Sequence, residues 1–165
     1  MNGKNDRTHS KGNVVRDKSF VFAIEIVRMG RRLQLDHREW VLSKQLIRSG
    51  TSIGANIEEA AAAQTKKDFL AKMSIALKEA RETHYWIRIL RESGLITEQE
   101  AQEHLPACQE LIRLLSSITL TTRNNLESSK RGSSRDAANS SLHISNSKLT
   151  EEHSTLHIPH SALKP

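Results

Sequence analysis

Residues 69–90 read FLAKMSIALKEARETHYWIRIL, and the spacing of their apolar side chains predicts the fold. Alternating steps of four and three residues connect Phe69, Met73, Ala76, Ala80, Thr83, Ile87 and Leu90. A seam with this heptad spacing places one face of a helix against another helix along its whole length. The segment therefore predicts a long helix in an all-α protein.

Start and stop signals surround this seam. Thr65 and Asp68 are spaced as a helix N-cap and its partner, and Gly94 is suited to the C-terminal cap. Thr97 and Glu100 form a capping box, which predicts a further helix that runs to about Thr122. Its seam comprises Leu105, Cys108, Ile112, Leu115 and Thr119.

Two more helices are predicted before this pair. The first runs from about Ser19 to Arg32 and presents Phe20, Ile24 and Val27 on one face. The second starts near Asp36, where Asp36 and Glu39 are spaced like a capping box, and continues to about residue 63. Short connections make consecutive helices antiparallel neighbours, so we predict an antiparallel up-down-up-down four-helix bundle.

Composition sets the limits of this bundle. The chain has 165 residues, of which 36% are hydrophobic, enough for one domain. Residues 1–17 and 126–165 are polar and without apolar periodicity, so we predict disordered N- and C-terminal tails around a bundle of residues 18–125. A single cysteine permits no intrachain disulfide, and the early sequence lacks the apolar core of a secretion signal. These features predict a cytoplasmic protein that does not bind membranes.

The second helix contains RSGTSIGANIEEAAAAQ, residues 48–64, which is rich in residues that disfavour a helix interior. Its glycines and alanines predict close helix packing, with larger side chains of the third helix in the space they leave. Ser52 and Asn56 are predicted to form hydrogen bonds to polar groups of the third helix. The predicted structural network comprises Ser52, Asn56, Glu79, Glu82, Thr83 and Tyr85. A phosphate or ligand site built from Arg48 and Asn56 stays open as the alternative.

The net charge of +6 is unevenly distributed, because residues 28–48 carry six basic side chains against Asp36 and Glu39. Such a surface attracts phosphates or an acidic protein, although an ordinary solvated helix surface has similar composition. The candidate nucleic-acid-binding residues are Arg28, Arg31, Arg32, Arg38, Lys44 and Arg48.

Signals for catalysis are weak. The Glu-x-x-His pairs of a di-iron bundle are missing, because Gln34, Arg81 and Ala101 stand three residues before the helical histidines. No phosphate-binding loop with its lysine follows the glycines of the second helix. Glu79 and Glu82 have no nucleophile beside them in the sequence pattern. We therefore expect no enzyme, no metal and no cofactor.

The segments RSGTSIGANIEEA and FLAKMSIALKEARETHYWIRIL resemble a known family. These are the four-helix bundle proteins encoded within intervening sequences of bacterial 23S ribosomal RNA genes, together with their relative, the accessory variability determinant protein of diversity-generating retroelements. The resemblance covers about residues 18 to 122. The matching positions are Arg48, Ser49, Ser52, Ile53, Asn56, Ile57 and Glu59, then Lys78 to Ala80, Glu82, Thr83, Tyr85 and Trp86.

The resemblance implies a bundle that assembles into a barrel-like homopentamer with a basic surface. In the retroelement branch it implies binding to a reverse transcriptase and nucleic acid, and in the other branch association with ribosomal RNA or a ribonucleoprotein. We therefore expect a non-enzymatic oligomeric adaptor that contacts RNA or a nucleic-acid-handling partner through its basic surface. The alternative is a protein-only interaction module whose basic face docks an acidic partner.

Overall fold

The computed structural model describes residues 11–152, and the side chains of residues 14–129. It has four helices: α1 (Lys11–Asp36), α2 (Val41–Ala61), α3 (Lys66–Glu92) and α4 (Glu98–Glu152). No strand occurs in this described range. The predicted all-α fold with four helices is confirmed.

As residue numbers increase along α2, the residues it contacts on α1 and on α3 decrease in number. Against α1, Gly54 lies next to Ser19 and Gly50 next to Ile26. Against α3, the Ser49 and Thr83 hydroxyl oxygens lie 3.0 Å apart, and Glu59 pairs with Lys72 at 2.5 Å, farther along α2 and nearer the start of α3. The helix α2 therefore runs antiparallel to both neighbours.

The helix α4 contacts both α3 and α1. The Cys108 thiol lies 3.3 Å from the carbonyl oxygen of Ala80 on α3. On the α1 side, Lys18 pairs with Glu110 at 3.1 Å, and Arg32 lies 3.6 Å from Glu100. These contacts agree with the up-down-up-down order, which stays a prediction for the arrangement as a whole.

The seam of α3 is buried as predicted. Met73, Ala76, Ala80, Thr83, Ile87 and Leu90 are all buried, and Phe69 packs against them from a half-buried position. In α4 the seam shifts at one position, because Leu111 is fully buried whereas Ile112 is partly buried. The core therefore forms along the heptad seams.

The predicted core face of α1 is wrong. Phe20 is 66% exposed and Ile24 is 37% exposed, while Val27 is partly buried. The buried stripe is instead Val15, Ser19, Phe22, Ile26, Met29 and Leu33. Since residues 20–27 are nearly all apolar, two faces there have similar hydrophobicity and periodicity alone does not choose between them.

The boundaries of α1 and α2 also differ from the prediction. Residues 11–17 belong to α1 and Val15 is buried, so the structure differs from the predicted disorder over these seven residues. The helix α2 begins at Val41 because the Glu39 carboxylate accepts hydrogen bonds from the backbone N–H groups of Val41 and Leu42, both at 2.7 Å. Glu39 therefore caps the second helix from outside and does not lie within its first turn.

The caps of α3 and α4 are as predicted. Thr65 Oγ1 accepts from the Asp68 N–H at 3.1 Å. Gly94 has φ 72° and follows the end of α3. The Leu95 N–H donates to the Leu90 carbonyl oxygen at 2.9 Å, and the Gly94 N–H donates to the Arg91 carbonyl oxygen at 3.0 Å, which together form a Schellman motif. In the capping box, the Thr97 N–H donates to Glu100 Oε2 at 2.8 Å and the Glu100 N–H donates to Thr97 Oγ1 at 3.2 Å.

The glycines of α2 face α1, which corrects the prediction that they admit side chains of the third helix. A Cβ atom on Gly50 would lie 2.5 Å from Ile26 Cγ2, and one on Gly30 of α1 would collide with Ile47. Reciprocal glycines therefore let α1 and α2 approach closely. These glycines are therefore explained by the close packing of α1 against α2.

The C-terminal segment differs from the predicted tail. The chain divides into two units at residues 124 and 125, close to the predicted boundary. The backbone is helical to Glu152, whereas composition predicts disorder from residue 126. The predicted tails at residues 1–10 and 153–165 lie outside the described residues.

Candidate nucleic-acid interface

The six candidate basic residues separate into two groups of three. Arg28 pairs with Glu25 at 2.7 Å on its own helix. Arg32 and Arg48 lie 3.6 Å from the carboxylates of Glu100 and Glu82. These three guanidinium groups remain partly exposed, so each ion pair contributes little to stability and leaves N–H donors facing water.

The other three, Arg31, Arg38 and Lys44, are exposed and form no ion pair among the residues that the structure describes. They lie around the connection between α1 and α2. The contact between Gln34 and Ser43, at 3.1 Å, sets the register of the two helices there. It places residue 31 within about one turn of residue 44. We call these three residues the basic corner.

Arg38 has a backbone conformation that few residues other than glycine adopt, with φ 53°. It lies in the four-residue connection after α1, where the chain reverses direction. The carboxylate of neighbouring Glu39 is occupied by the first N–H groups of α2. Oε1 of Glu39 is thus directed to the start of α2, and Glu39 forms no ion pair with the basic corner among the described residues.

Large apolar side chains are exposed beside the basic corner. Leu35 is 75% exposed, Trp40 is 53% exposed and Val41 is 71% exposed. Trp40 occupies the N-cap position of α2 but makes no side-chain capping hydrogen bond. An accessible aromatic ring thus lies close in sequence to exposed cations, a combination that binds single-stranded nucleic acids in many proteins.

The predicted polar network has a different membership in the structure. Asn56 donates to the Ser52 carbonyl oxygen of its own helix at 2.8 Å, so it does not reach the third helix. The cross-helix hydrogen bond involves Ser49 and Thr83 instead. Both of these side chains are buried, and their bond fixes the register of α2 against α3.

Glu82 contacts two residues outside the predicted network. Its Oε1 accepts from the Trp86 indole N–H at 3.3 Å and lies 3.6 Å from Arg48. Tyr85 is exposed and contacts Trp86 edge to face, with ring centroids 5.1 Å apart. Oε2 of Glu79 is buried without a hydrogen-bond partner among the described residues. This face of α2 and α3 is therefore held by polar contacts but does not form one closed network.

Titratable groups outside the basic corner have shifted pKa values. Burial lowers the pKa of His104 and raises the pKa of the Cys108 thiol to about 12. The backbone hydrogen bond from Thr97 lowers the pKa of Glu100, and Arg32 adds to this effect. A thiol with so high a pKa is a poor nucleophile at neutral pH. Cys108 therefore acts as an apolar packing residue.

Sequence reasoning missed the apolar part of the corner. Leu35, Trp40 and Val41 were not predicted as site residues, although one signal points to them. They lie at the junction between two helices, where at most part of such a cluster can reach the core. Within residues 11–152 no helix is long and apolar enough to cross a membrane. The described part of the chain also holds no cluster of three or more His, Cys, Asp or Glu suited to a metal ion.

Comparison with known proteins identifies the family. The family model described as 23S rRNA-intervening sequence protein matches residues 11–117, and thus starts where α1 starts. A crystal structure of a protein of unknown function from the S23 ribosomal protein family of Bacteroides thetaiotaomicron is 47% identical, with a TM-score of 0.65. The similarity covers 67% of this chain and 98% of that one. No curated protein matches. The chain belongs to the 23S rRNA-intervening sequence protein family.

Proposed function

We propose that this protein is a non-enzymatic, oligomeric adaptor that contacts RNA or a nucleic-acid-handling partner through its basic surface. The observation that carries the proposal is the basic corner, where Arg31, Arg38 and Lys44 lie exposed and have no carboxylate partner among the side chains that the structure describes. Arg28, Arg32 and Arg48 add partly exposed guanidinium groups, since ion pairs at 2.7 and 3.6 Å leave further N–H donors free for phosphate. Binding of this kind has little sequence discrimination, because phosphates are the same along any strand.

Replacement of the corner charges tests this proposal. The triple variant Arg31→Gln, Arg38→Asn, Lys44→Gln should weaken RNA binding and reduce the slope of log affinity against log salt by roughly two. Lys67→Gln, Lys78→Gln, Arg81→Gln is the matched control, because it removes the same charge from exposed α3 positions that form no ion pair among the described residues. Equal losses in both triple variants would contradict a local site, since only net charge would then matter.

Self-association is part of the same proposal. Phe20 and Ile24 form an exposed apolar stripe on the outer face of α1, and Val21 adds to it. An exposed apolar surface of this kind is typical of subunit interfaces. We propose a homo-oligomer, with five subunits as the resemblance implies. A reverse transcriptase is a further proposed partner, on the resemblance alone.

Light scattering after size-exclusion chromatography tests the assembly. The wild-type chain should elute as an oligomer, and Ile24→Glu should dissociate it because a buried charge is costly at an apolar interface. Leu120→Glu is the control, since Leu120 is also an exposed apolar residue but lies on α4. A monomeric wild-type protein at micromolar concentration would overturn this part of the proposal.

The protein-only alternative is favoured by the exposed apolar residues Leu35 and Val41, which suit a protein partner as well as they suit RNA. In that case the basic corner docks an acidic protein. A pull-down that keeps its partner after nuclease treatment supports this alternative, and loss of the partner supports the RNA proposal.

A further inference from the structure

Trp40 lies at the end of a line of cations on α2. Lys44 and Arg48 follow it at successive steps of four residues, so the three side chains share one face of the helix at intervals of about 6 Å. The backbone of Trp40 is already in the helical region, with φ −100° and ψ −20°, so the line includes it. An indole ring therefore lies at one end of a row of cationic side chains.

The indole is accessible and uncommitted. It is 53% exposed and makes no capping hydrogen bond to α2. The second tryptophan differs in both respects, because Trp86 is partly buried and donates its indole N–H to Glu82. Leu35 and Val41 are also exposed, just before and just after the part of the chain that contains His37 to Trp40.

These features favour one class of ligand. A nucleobase stacks on an exposed aromatic ring only when it is unpaired, because base pairing and stacking in a duplex hide its faces. The adjacent cations then neutralise the phosphates of the same strand. We propose that Trp40 is a stacking platform for an unpaired base, so that the basic corner prefers single-stranded RNA or an RNA loop to duplex. This inference rests on the proposed RNA-binding function and adds Trp40 as its specificity-determining residue.

The test compares variants of the full chain in fluorescence anisotropy at about 50 mM salt. The probes are an oligoadenylate of about 15 nucleotides and an RNA duplex of equal length. Trp40→Leu, which keeps apolar bulk but loses the ring, should weaken oligoadenylate binding about ten-fold and leave duplex binding unchanged. Trp40→Phe should stay within about three-fold of wild type, because it keeps an aromatic face.

Two controls make the result specific. Tyr85→Leu removes another exposed aromatic ring from a different helix and should change neither affinity. In a Trp86→Phe background Trp40 is the one remaining tryptophan, since the chain has two, and oligoadenylate should quench its fluorescence whereas duplex should not. Quenching reports contact directly and does not depend on the folding of a Trp40 variant.

The outcomes separate this inference from the function on which it rests. If both RNAs bind and Trp40→Leu leaves oligoadenylate binding unchanged, or weakens both probes equally, the stacking role is overturned and the phosphate contacts stand. If neither RNA binds at about 50 mM salt, the proposed RNA function fails and the inference fails with it. Loss of binding to anionic lipid vesicles in Trp40→Leu, with RNA binding intact, would assign the ring to a membrane surface and overturn the inference.

Discussion

Gly50 and Gly54 both lie on α2, but their surroundings differ. A Cβ on Gly50 would lie 2.5 Å from Ile26 Cγ2 and 3.0 Å from Ile26 Cβ, whereas one on Gly54 would have Ser19 Oγ as its nearest neighbour at 3.6 Å. The side chain of Ile26 is β-branched and stiff, so it has little freedom to move aside. The contact between α1 and α2 therefore depends on Gly50 and tolerates a methyl group at position 54.

The paired substitutions Gly50→Ala and Gly54→Ala test this difference. We expect Gly50→Ala to lower the free energy of unfolding by about 1–3 kcal/mol, as overpacked core positions do. Gly54→Ala should be neutral or stabilising by up to about 1 kcal/mol, because alanine favours the helix. Urea denaturation measures both. Equal effects at the two positions would show that helix propensity, and not the distance to Ile26, decides the outcome.

His104 makes stability depend on pH. It is buried, its Nε2 atom has no hydrogen-bond partner among the described residues, and burial lowers its pKa from the ordinary 6.5. The unfolded chain therefore binds a proton more readily than the folded one, and protonation favours unfolding. Burial and nearby Arg88 lower the pKa of His84 in the same direction.

The free energy of unfolding should accordingly be highest above about pH 6.5 and fall as the pH drops below it. His104→Gln should flatten this decline, whereas His37→Gln, at an exposed position, serves as the control. Glu100 acts in a more acidic range, because its lowered pKa means that its stabilisation is lost below its ordinary value of 4.5. An unchanged pH profile in His104→Gln would contradict the role assigned to this histidine.

At the scale of the helix, local signals predicted some boundaries well and others poorly. Thr65, Gly94 and the pair Thr97 and Glu100 mark caps whose hydrogen bonds involve only nearby residues, so the sequence suffices. The start of α2 was misplaced because Glu39 fits two positions of a cap equally well in sequence. The core face of α1 was missed because its choice depends on contacts with α2 and α4, which no local pattern contains.

Gly94 and Arg38, each in a connection between two helices, have a left-handed backbone conformation. Gly94 has φ 72° with open space around it, and Arg38 has φ 53°. Gly94→Ala should cost about 1 kcal/mol, because the new Cβ is unfavourable in this conformation although it meets no neighbour. Arg38→Gly should stabilise the fold or leave it unchanged, since glycine adopts this conformation without the steric cost of a Cβ atom.

Thermal unfolding of both variants checks these expectations. A stabilised Arg38→Gly protein also shows that folding does not require the side chain of Arg38. A destabilised Arg38→Gly protein would contradict this, since the arginine side chain would then contribute to the fold.

At the scale of the whole molecule, charge and composition predicted the location of the candidate site but not its character. The six basic residues were visible in the sequence, yet their ion pairs with Glu25, Glu82 and Glu100 were not, because two of these pairs join residues far apart in the chain. Exposure of Trp40 depends likewise on where α1 ends and α2 begins. The tertiary structure thus reduces a broad basic region to the basic corner.

The most direct test of the account is binding of the wild-type chain to RNA across salt concentrations. Fluorescence anisotropy with a structured RNA and a duplex DNA, between about 50 and 300 mM salt, measures both affinity and the number of phosphate contacts. We predict binding that falls steeply on a log–log plot of affinity against salt. Absence of binding at the lowest salt would contradict the account and assign the basic corner to an acidic protein partner.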